Sequence, residues 1–157
     1  MATRRKRRAS RPEPVPSESS QIRYVESSAL VAAVLEADAA ARSAIGAPGR
    51  LITSRLTLAE THRAVLRARM TGRLKPDQER HLIRGLDTFS RRCELMAVSE
   101  QVLLRAGRPF PVEPVRTLDA IHLASVEALG EPPQLVTVIA RDARVAANAR
   151  ALGYDVA

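Results

Sequence analysis

Ile22-Arg23-Tyr24-Val25-Glu26-Ser27-Ser28-Ala29-Leu30 decides how this chain is read. Ile22 to Val25 is a short β-branched and aromatic run, the composition of a strand. Glu26 ends it, two serines follow, and Ala29-Leu30-Val31-Ala32-Ala33-Val34-Leu35 continues as a helix. A carboxylate therefore stands at the joint between a buried strand and a helix. The rest of the sequence repeats that arrangement, and the reading is that these joints converge on one acidic site.

Working outward, the first helix is expected over Ala29 to about Asp38, with Ala39–Ile45 either extending it or forming a second. Ala47-Pro48-Gly49 breaks the chain. Leu51-Ile52-Thr53 reads as a second strand, and Thr53 or Ser54 as the cap of a long helix to about Met70, ended by Thr71-Gly72. Pro76 opens a further helix to about Arg92, with Asp77 and Glu79 in its first turn where the helix dipole favours acids. Leu95–Val98 is a third strand candidate. Ser99 to Ala106 is a helix closed by Gly107, and Pro109–Pro114 a loop. Thr117 is expected to cap a helix over Leu118–Leu129. Leu135–Ala140 is apolar and β-branched, the pattern of a strand covered on both faces. Asp142 caps Ala143–Leu152, Gly153 stops it, and Tyr154–Val156 is a final edge strand. Strands alternating with helices imply βαβ crossovers, hence a parallel sheet with helices on both sides.

The totals are consistent with that class. The chain has 157 residues, 45% of them apolar, which suits one domain with a real core. Cys93 is the single cysteine, so neither an internal disulfide nor a Cys/His zinc pattern is available, and a reducing cytoplasm is the expected compartment. Charges interrupt every apolar stretch well short of the ~20 residues that span a membrane. The net charge is +8. Arg4, Arg5, Lys6, Arg7, Arg8 and Arg11 against Glu13 and Glu18 give residues 1–20 half of that charge, +4. With Pro12, Pro14, Pro16 and the serines that follow, this stretch reads as a disordered basic tail ahead of a domain over 21–157. A solvated tail is preferred to an electrostatic arm for RNA. The body is only mildly basic and aromatics are few, which argues against a base-stacking platform.

In an open parallel sheet, ligands bind beyond the carboxyl ends of the strands. Glu26 directly follows the first strand, Glu60 lies in the second turn of the helix after the second, and Asp142 follows the Leu135–Ala140 strand. Asp119 is in the first turn of the Leu118–Leu129 helix. Each alone has a plain explanation as a cap, a dipole partner or a solvated residue. Asp119 is the exception in pattern, because its i+3, i+4 and i+7 neighbours are His122, Leu123 and Val126. A carboxylate on a buried face needs a partner, either His122 or a metal. Converging carboxylates raise one another's pKa, and a divalent cation relieves that. Oxygen donors suit Mg²⁺ or Mn²⁺ and not zinc, the ions of phosphodiester chemistry. Arg55, Arg116 and Arg141 stand near acidic positions and are candidates for holding phosphates. His62 and His81 read as structural, and Cys93 as a small buried apolar residue.

The chain resembles PIN-domain proteins, specifically the VapC-type toxins of toxin–antitoxin pairs. The matching stretches are Tyr24-Val25-Glu26-Ser27-Ser28-Ala29-Leu30, Thr53-Ser54-Arg55-Leu56 leading to Glu60, Arg116-Thr117-Leu118-Asp119-Ala120-Ile121-His122-Leu123-Ala124, and Val138 to Asp142 with its helix. The resemblance covers residues 22–157. It implies a three-layer α/β/α fold with a mostly parallel sheet of about five strands. It also implies an Mg²⁺- or Mn²⁺-dependent ribonuclease acting on RNA, a cognate antitoxin as partner and a homodimer. By position it carries over an acidic set, Glu26, Glu60, Asp119 and Asp142, with Glu26, Asp119 and Asp142 as metal ligands. Ser28 matches the small hydroxyl residue that orients a water or a ligand beside the site. The family's first position is usually Asp; Glu26 keeps the charge but is one methylene longer. Two other readings stay open: a non-catalytic RNA- or protein-binding module that kept the fold, and a housekeeping nuclease without an antitoxin.

Overall fold

The computed structural model describes residues 21–157. The basic tail expected over 1–20 lies outside the described residues. Among the described residues five strands form one sheet, all parallel, in the order β3-β2-β1-β4-β5. The first half of the domain is β1 (Ile22–Val25), α1 (Ser27–Leu35), α2 (Ala39–Gly46), β2 (Arg50–Ser54), α3 (Arg55–Met70), α4 (Pro76–Arg92) and β3 (Glu94–Met96). The second half is α5 (Glu100–Ala106), α6 (Thr117–Glu127), a short 3₁₀ turn (Pro133–Leu135), β4 (Val136–Ile139), α7 (Ala143–Ala151) and β5 (Asp155–Val156).

Side chains of a strand alternate between the two faces of the sheet. Ile22 and Tyr24 of β1 join Ile52, Val136 and Val138 under α5, α6 and α7. Val25 joins Leu30, Val65, Leu86 and Ile139 under α1, α3 and α4. That gives the three-layer α/β/α arrangement, with the sheet apolar on both faces. The exception on β1 is Arg23, which is buried yet charged. Its guanidinium donates to the carbonyls of Ala44, Ile45 and Gly49, at the C-terminal end of α2, where a helix dipole welcomes a cation. Gly49 has a φ of 118° and sits so close to the Gln21 carbonyl that a Cβ would collide with it.

The local signals account for most boundaries. Asp38 caps α2 by accepting from Ala41 N at 2.9 Å, and Ala37 just before it has a φ of 56°. So the first helix stops at Leu35, and Ala39–Gly46 is a second helix rather than an extension. Ser54, not Thr53, caps α3; the Thr53 hydroxyl instead donates to the Val25 carbonyl at 2.7 Å. Asp142 caps α7 as expected. Thr117 does not cap α6: Arg116 holds the cap position, with no side-chain hydrogen bond there, and Thr117 is the first helical residue.

Topology then positions the site. From β1 the chain moves one way, to β2 and β3, and returns on the other side of β1 to lay down β4 and β5. The reversal falls between β1 and β4, and such a switch point leaves a crevice beyond the strand ends. The register pairs Val25 with both Thr53 and Ile139, so β1 and β4 end level and β2 one residue beyond them. Glu26 N donates to the Ile139 carbonyl at 3.0 Å, extending the ladder by one residue.

Candidate metal centre at the strand ends

Glu26 occupies the N-cap of α1 and is 2% exposed. A buried carboxylate persists only when it is well supplied with donors, and this one is. It accepts from the Ser27 hydroxyl at 2.7 Å, from Ser28 N at 2.9 Å, and from the Ser28 hydroxyl. The Ser28 oxygen in turn accepts from Arg141 N at 2.7 Å and Asp142 N at 2.9 Å. One hydroxyl thus uses its donor and both lone pairs, and it ties the β1–α1 joint to the β4–α7 joint. The resemblance gave Ser28 a water or a ligand to orient; in the fold its oxygen is fully committed to Glu26 and to the backbone beside Asp142. Asp142 itself accepts from Arg144 N and Val145 N.

Glu60 reaches this crevice from the second turn of α3. It pairs with His122 of α6, whose Nε2 lies 2.6 Å from Glu60 Oε2 and 3.6 Å from Glu26 Oε1. Burial pushes the Glu60 carboxyl up, but the hydrogen bond of His122, its charge whenever the ring is protonated, and the Ser27 hydroxyl outweigh it and hold the carboxyl below its usual range. The other ring nitrogen, Nδ1, is 3.3 Å from the hydroxyl of Tyr24. Glu26, Glu60 and His122 each offer one possible ligand atom within 4.8 Å of the others. The sequence reading had offered His122 to Asp119, one helical turn earlier. Its nitrogens are directed instead to Glu60, Glu26 and Tyr24, because α6 is buried from Ala120 to Val126 and turns His122 inward against the sheet.

Asp119 is left without that partner. Its Oδ2 is buried and meets no hydrogen-bond donor among the described residues. Burial pushes the carboxyl above its ordinary range, and the negative charges of Asp142 and Glu26 push it further, against Arg116 and His122. Asp142 and Glu26 thus act on Asp119 by charge, but among the described residues the group whose possible ligand atoms lie within 4.8 Å of one another is Glu26, Glu60 and His122, and neither Asp119 nor Asp142 belongs to it. A buried, donor-free oxygen among like charges is what a hard cation relieves, and carboxylates are the donors that Mg²⁺ or Mn²⁺ takes. The residues present fit such an ion.

The three arginines divide. Arg116, exposed at the start of α6, is near enough to act on the Asp119 carboxyl. Arg55 is exposed at the first position of α3. Arg141 is exposed and already paired: its Nε donates to Asp38 Oδ2 at 2.8 Å, and Arg141 holds that carboxyl down to about 2. His62 bonds its own helix, with Nδ1 2.6 Å from the Leu58 carbonyl, in keeping with a structural role. Cys93 is half-buried among apolar neighbours, and burial pushes its thiol up to about 11. No helix among the described residues is long and apolar enough to cross a membrane.

Comparison with known proteins adds the following. A family model described as the PIN domain matches residues 23–151. No curated protein matches the sequence. Among solved structures the chain is similar to VapBC2 from Rickettsia felis bound to a DNA fragment from their promoter, with a TM-score of 0.60 and 15% identity over 87% of this chain and 98% of that one. It is also similar to VapC20 from Mycobacterium tuberculosis, a sarcin–ricin loop cleaving toxin, with a TM-score of 0.59 and 18% identity over 80% of this chain and 93% of that one. VapBC-1 from nontypeable Haemophilus influenzae gives a TM-score of 0.54 and 17% identity over 87% and 97%. At such identities the likeness is one of fold.

Proposed function

The chain belongs to the PIN-domain family, and from that premise we propose that it is a divalent-metal-dependent endoribonuclease, the toxin of a toxin–antitoxin pair. The observation that carries the proposal is the buried Asp119 Oδ2, without a donor among the described residues and under the repulsion of Asp142 and Glu26. Unmet negative charge at a topological switch point is a poor structural device and a good cation site.

In this reading Glu26, Asp119 and Asp142 hold Mg²⁺ or Mn²⁺. A bound ion of this kind supplies a more acidic water and stabilises charge on a phosphodiester in transit. Glu60 completes the acidic set; its carboxylate, kept ionised by His122, orients a water for attack on phosphorus. The serines at the β1–α1 joint fix the Glu26 carboxylate, and Ser28 keeps Asp142 in step with it. Arg116 and Arg55, both exposed, bind phosphates of the RNA on either side of the cut. Arg141, exposed and paired with Asp38 through Nε, is the third arginine proposed for that role. The products expected are a 5′-phosphate and a free 3′-hydroxyl.

The partners proposed are an antitoxin, since two of the similar structures are VapBC proteins, and a second copy of the chain, which rests on the family resemblance alone. The proposed compartment is the cytoplasm.

The test compares purified wild type with Asp119→Asn on total RNA, with Mg²⁺, with Mn²⁺ and with chelator. The expected result is cleavage by wild type with either ion, abolished by chelator. Asp119→Asn is expected to be slower by at least about a hundredfold, the scale of one charge-stabilising group at a reacting centre. Metal-independent cleavage, or none at all by wild type, overturns the reading. Growth arrest on expression, relieved by co-expressing the neighbouring small gene, tests the toxin assignment separately; a nuclease that leaves growth unaffected is a housekeeping enzyme.

A further inference from the structure

Behind Glu60 stands a chain of polar groups that the metal reading does not use. His122 is 1% exposed, and Tyr24 is fully buried under it. The rings meet edge to face, with centroids 6.5 Å apart. A bare ring nitrogen and an ionised carboxylate oxygen both present lone pairs, and they do not approach to 2.6 Å. The contact between His122 Nε2 and Glu60 Oε2 therefore carries a hydrogen. Glu26 lies toward the same nitrogen, at 3.6 Å, so both nearby carboxylates favour the proton there. In the neutral ring that leaves Nδ1 as an acceptor, and the group facing it is the Tyr24 hydroxyl at 3.3 Å. The tautomer is set from both ends.

This bears on a choice that the geometry otherwise leaves open. Glu26, Glu60 and His122 form a group that could hold an ion between them, and a histidine that ligates must present a bare nitrogen. Here the nitrogen directed at the carboxylates is the one that donates. We propose that His122 is a positioning residue and not a ligand: its Nε2–H, backed by the Tyr24 hydroxyl on Nδ1, holds the Glu60 carboxylate in place beside Glu26. The proposal deepens the metal-site reading above and rests on it for its consequence, though not for its geometry. Glu60 stands at the half-buried edge of α3, between the exposed Ala59 and the buried Thr61. Without a donor from α6, its long side chain is free to turn toward water.

Two measurements test this. The first uses metal-free protein labelled with ¹⁵N-histidine, in which long-range ¹H–¹⁵N spectra report which ring nitrogen bears the proton. His122→Gln identifies the His122 signals by their loss. The expected pattern is a protonated Nε2 and a bare Nδ1, with Tyr24→Phe moving the Nδ1 resonance and Glu60→Gln moving the Nε2–H. A protonated Nδ1 with bare Nε2 overturns the proposal. The second is Mn²⁺ binding by electron paramagnetic resonance, with folding checked by circular dichroism. Glu60 is not one of the three ligands assigned above, so His122→Leu acts on the ion only by letting the Glu60 charge turn away from the site. It is expected to weaken Mn²⁺ by about tenfold, the low end of the range for supporting groups, whereas His122→Gln, which restores an N–H near the Nε2 position, recovers affinity to within about threefold. Equal losses in two folded variants overturn the proposal, since the ring nitrogen would then be needed as such. Should His122→Leu not fold, Tyr24→Phe takes its place and is expected to show a smaller loss of the same kind. Should wild type bind no Mn²⁺, the metal reading fails, and the tautomer measurement still decides what His122 does to Glu60.

Discussion

The β1–α1 joint and the first turn of α6 each deliver a carboxylate to the same crevice, and they treat it in opposite ways. Glu26, at the joint, receives three donors from the two residues that follow it. Asp119, in the turn, has a buried oxygen that receives none from the described residues. The cause lies in helix geometry. An N-cap carboxylate faces the free N–H groups of the first turn, whereas Asp119, at the third helical position, places Oδ2 where none of the described residues offers it a donor. Glu26 is therefore both part of the fold and part of the site. Asp119 contributes negative charge that the metal-free protein holds at a cost. The comparison separates what supports folding from what serves an ion, and substitutions can push on each side of it.

The largest expected effect on stability is at the joint. Glu26→Ala strands the buried Ser27 hydroxyl and the Ser28 N–H and removes a cap, and should cost about 3 kcal/mol by urea denaturation of metal-free protein. Next comes Ser28→Ala, which leaves the amides of Arg141 and Asp142 without their acceptor. A loss of about 2 kcal/mol is expected, with cleavage reduced because Asp142 is no longer tied to Glu26. Asp119→Asn should change metal-free stability by no more than about 0.5 kcal/mol, or raise it, while removing cleavage as thoroughly as Glu26→Ala does. A Glu26→Ala protein as stable as Asp119→Asn would dissolve the distinction between the two carboxylates.

The smallest effect is a matter of pH. Asp38 is partly exposed, and Arg141 holds its carboxyl down to about 2, below the usual carboxylate range. A lowered carboxyl stabilises the fold above its unfolded value, and that contribution is lost as pH falls through the folded one. The gap in urea midpoint between wild type and Asp38→Asn should be level above a pH of about 4 and narrow toward 2. Exposure keeps the gap modest. The same ion pair anchors the residue next to Asp142, so a gap that widens on acidification would show Arg141 to be held by something else.

Much of this was legible in order along the chain. The strand Ile22–Val25, the serine cap at Ser54, the proline opening α4 and the aspartate cap at Asp142 are each encoded by residues a few positions apart. Local signals of that kind survive whatever the rest of the chain does. They fail where a better local partner is absent: Thr117 looks like a cap, yet its side chain makes no such bond and Arg116 takes the position. The acids at the strand ends were visible because a parallel sheet must send its loops there. Asp119 was visible from the apolar face it shares.

The sequence by itself determined the elements, their alternation and the positions of four carboxylates, because capping, periodicity and turn chemistry act over one or two helical turns. Tertiary structure alone decided how those carboxylates differ. Ser28 meets Arg141 across 113 residues, and His122 meets Glu60 across 62 and Tyr24 across 98. Arg141 is taken by Asp38 from 103 residues away. These partners are brought together only when β4 is laid down beside β1 and α6 is buried against the sheet. No spacing in the chain announces which side chain will find a donor there and which will be left for an ion.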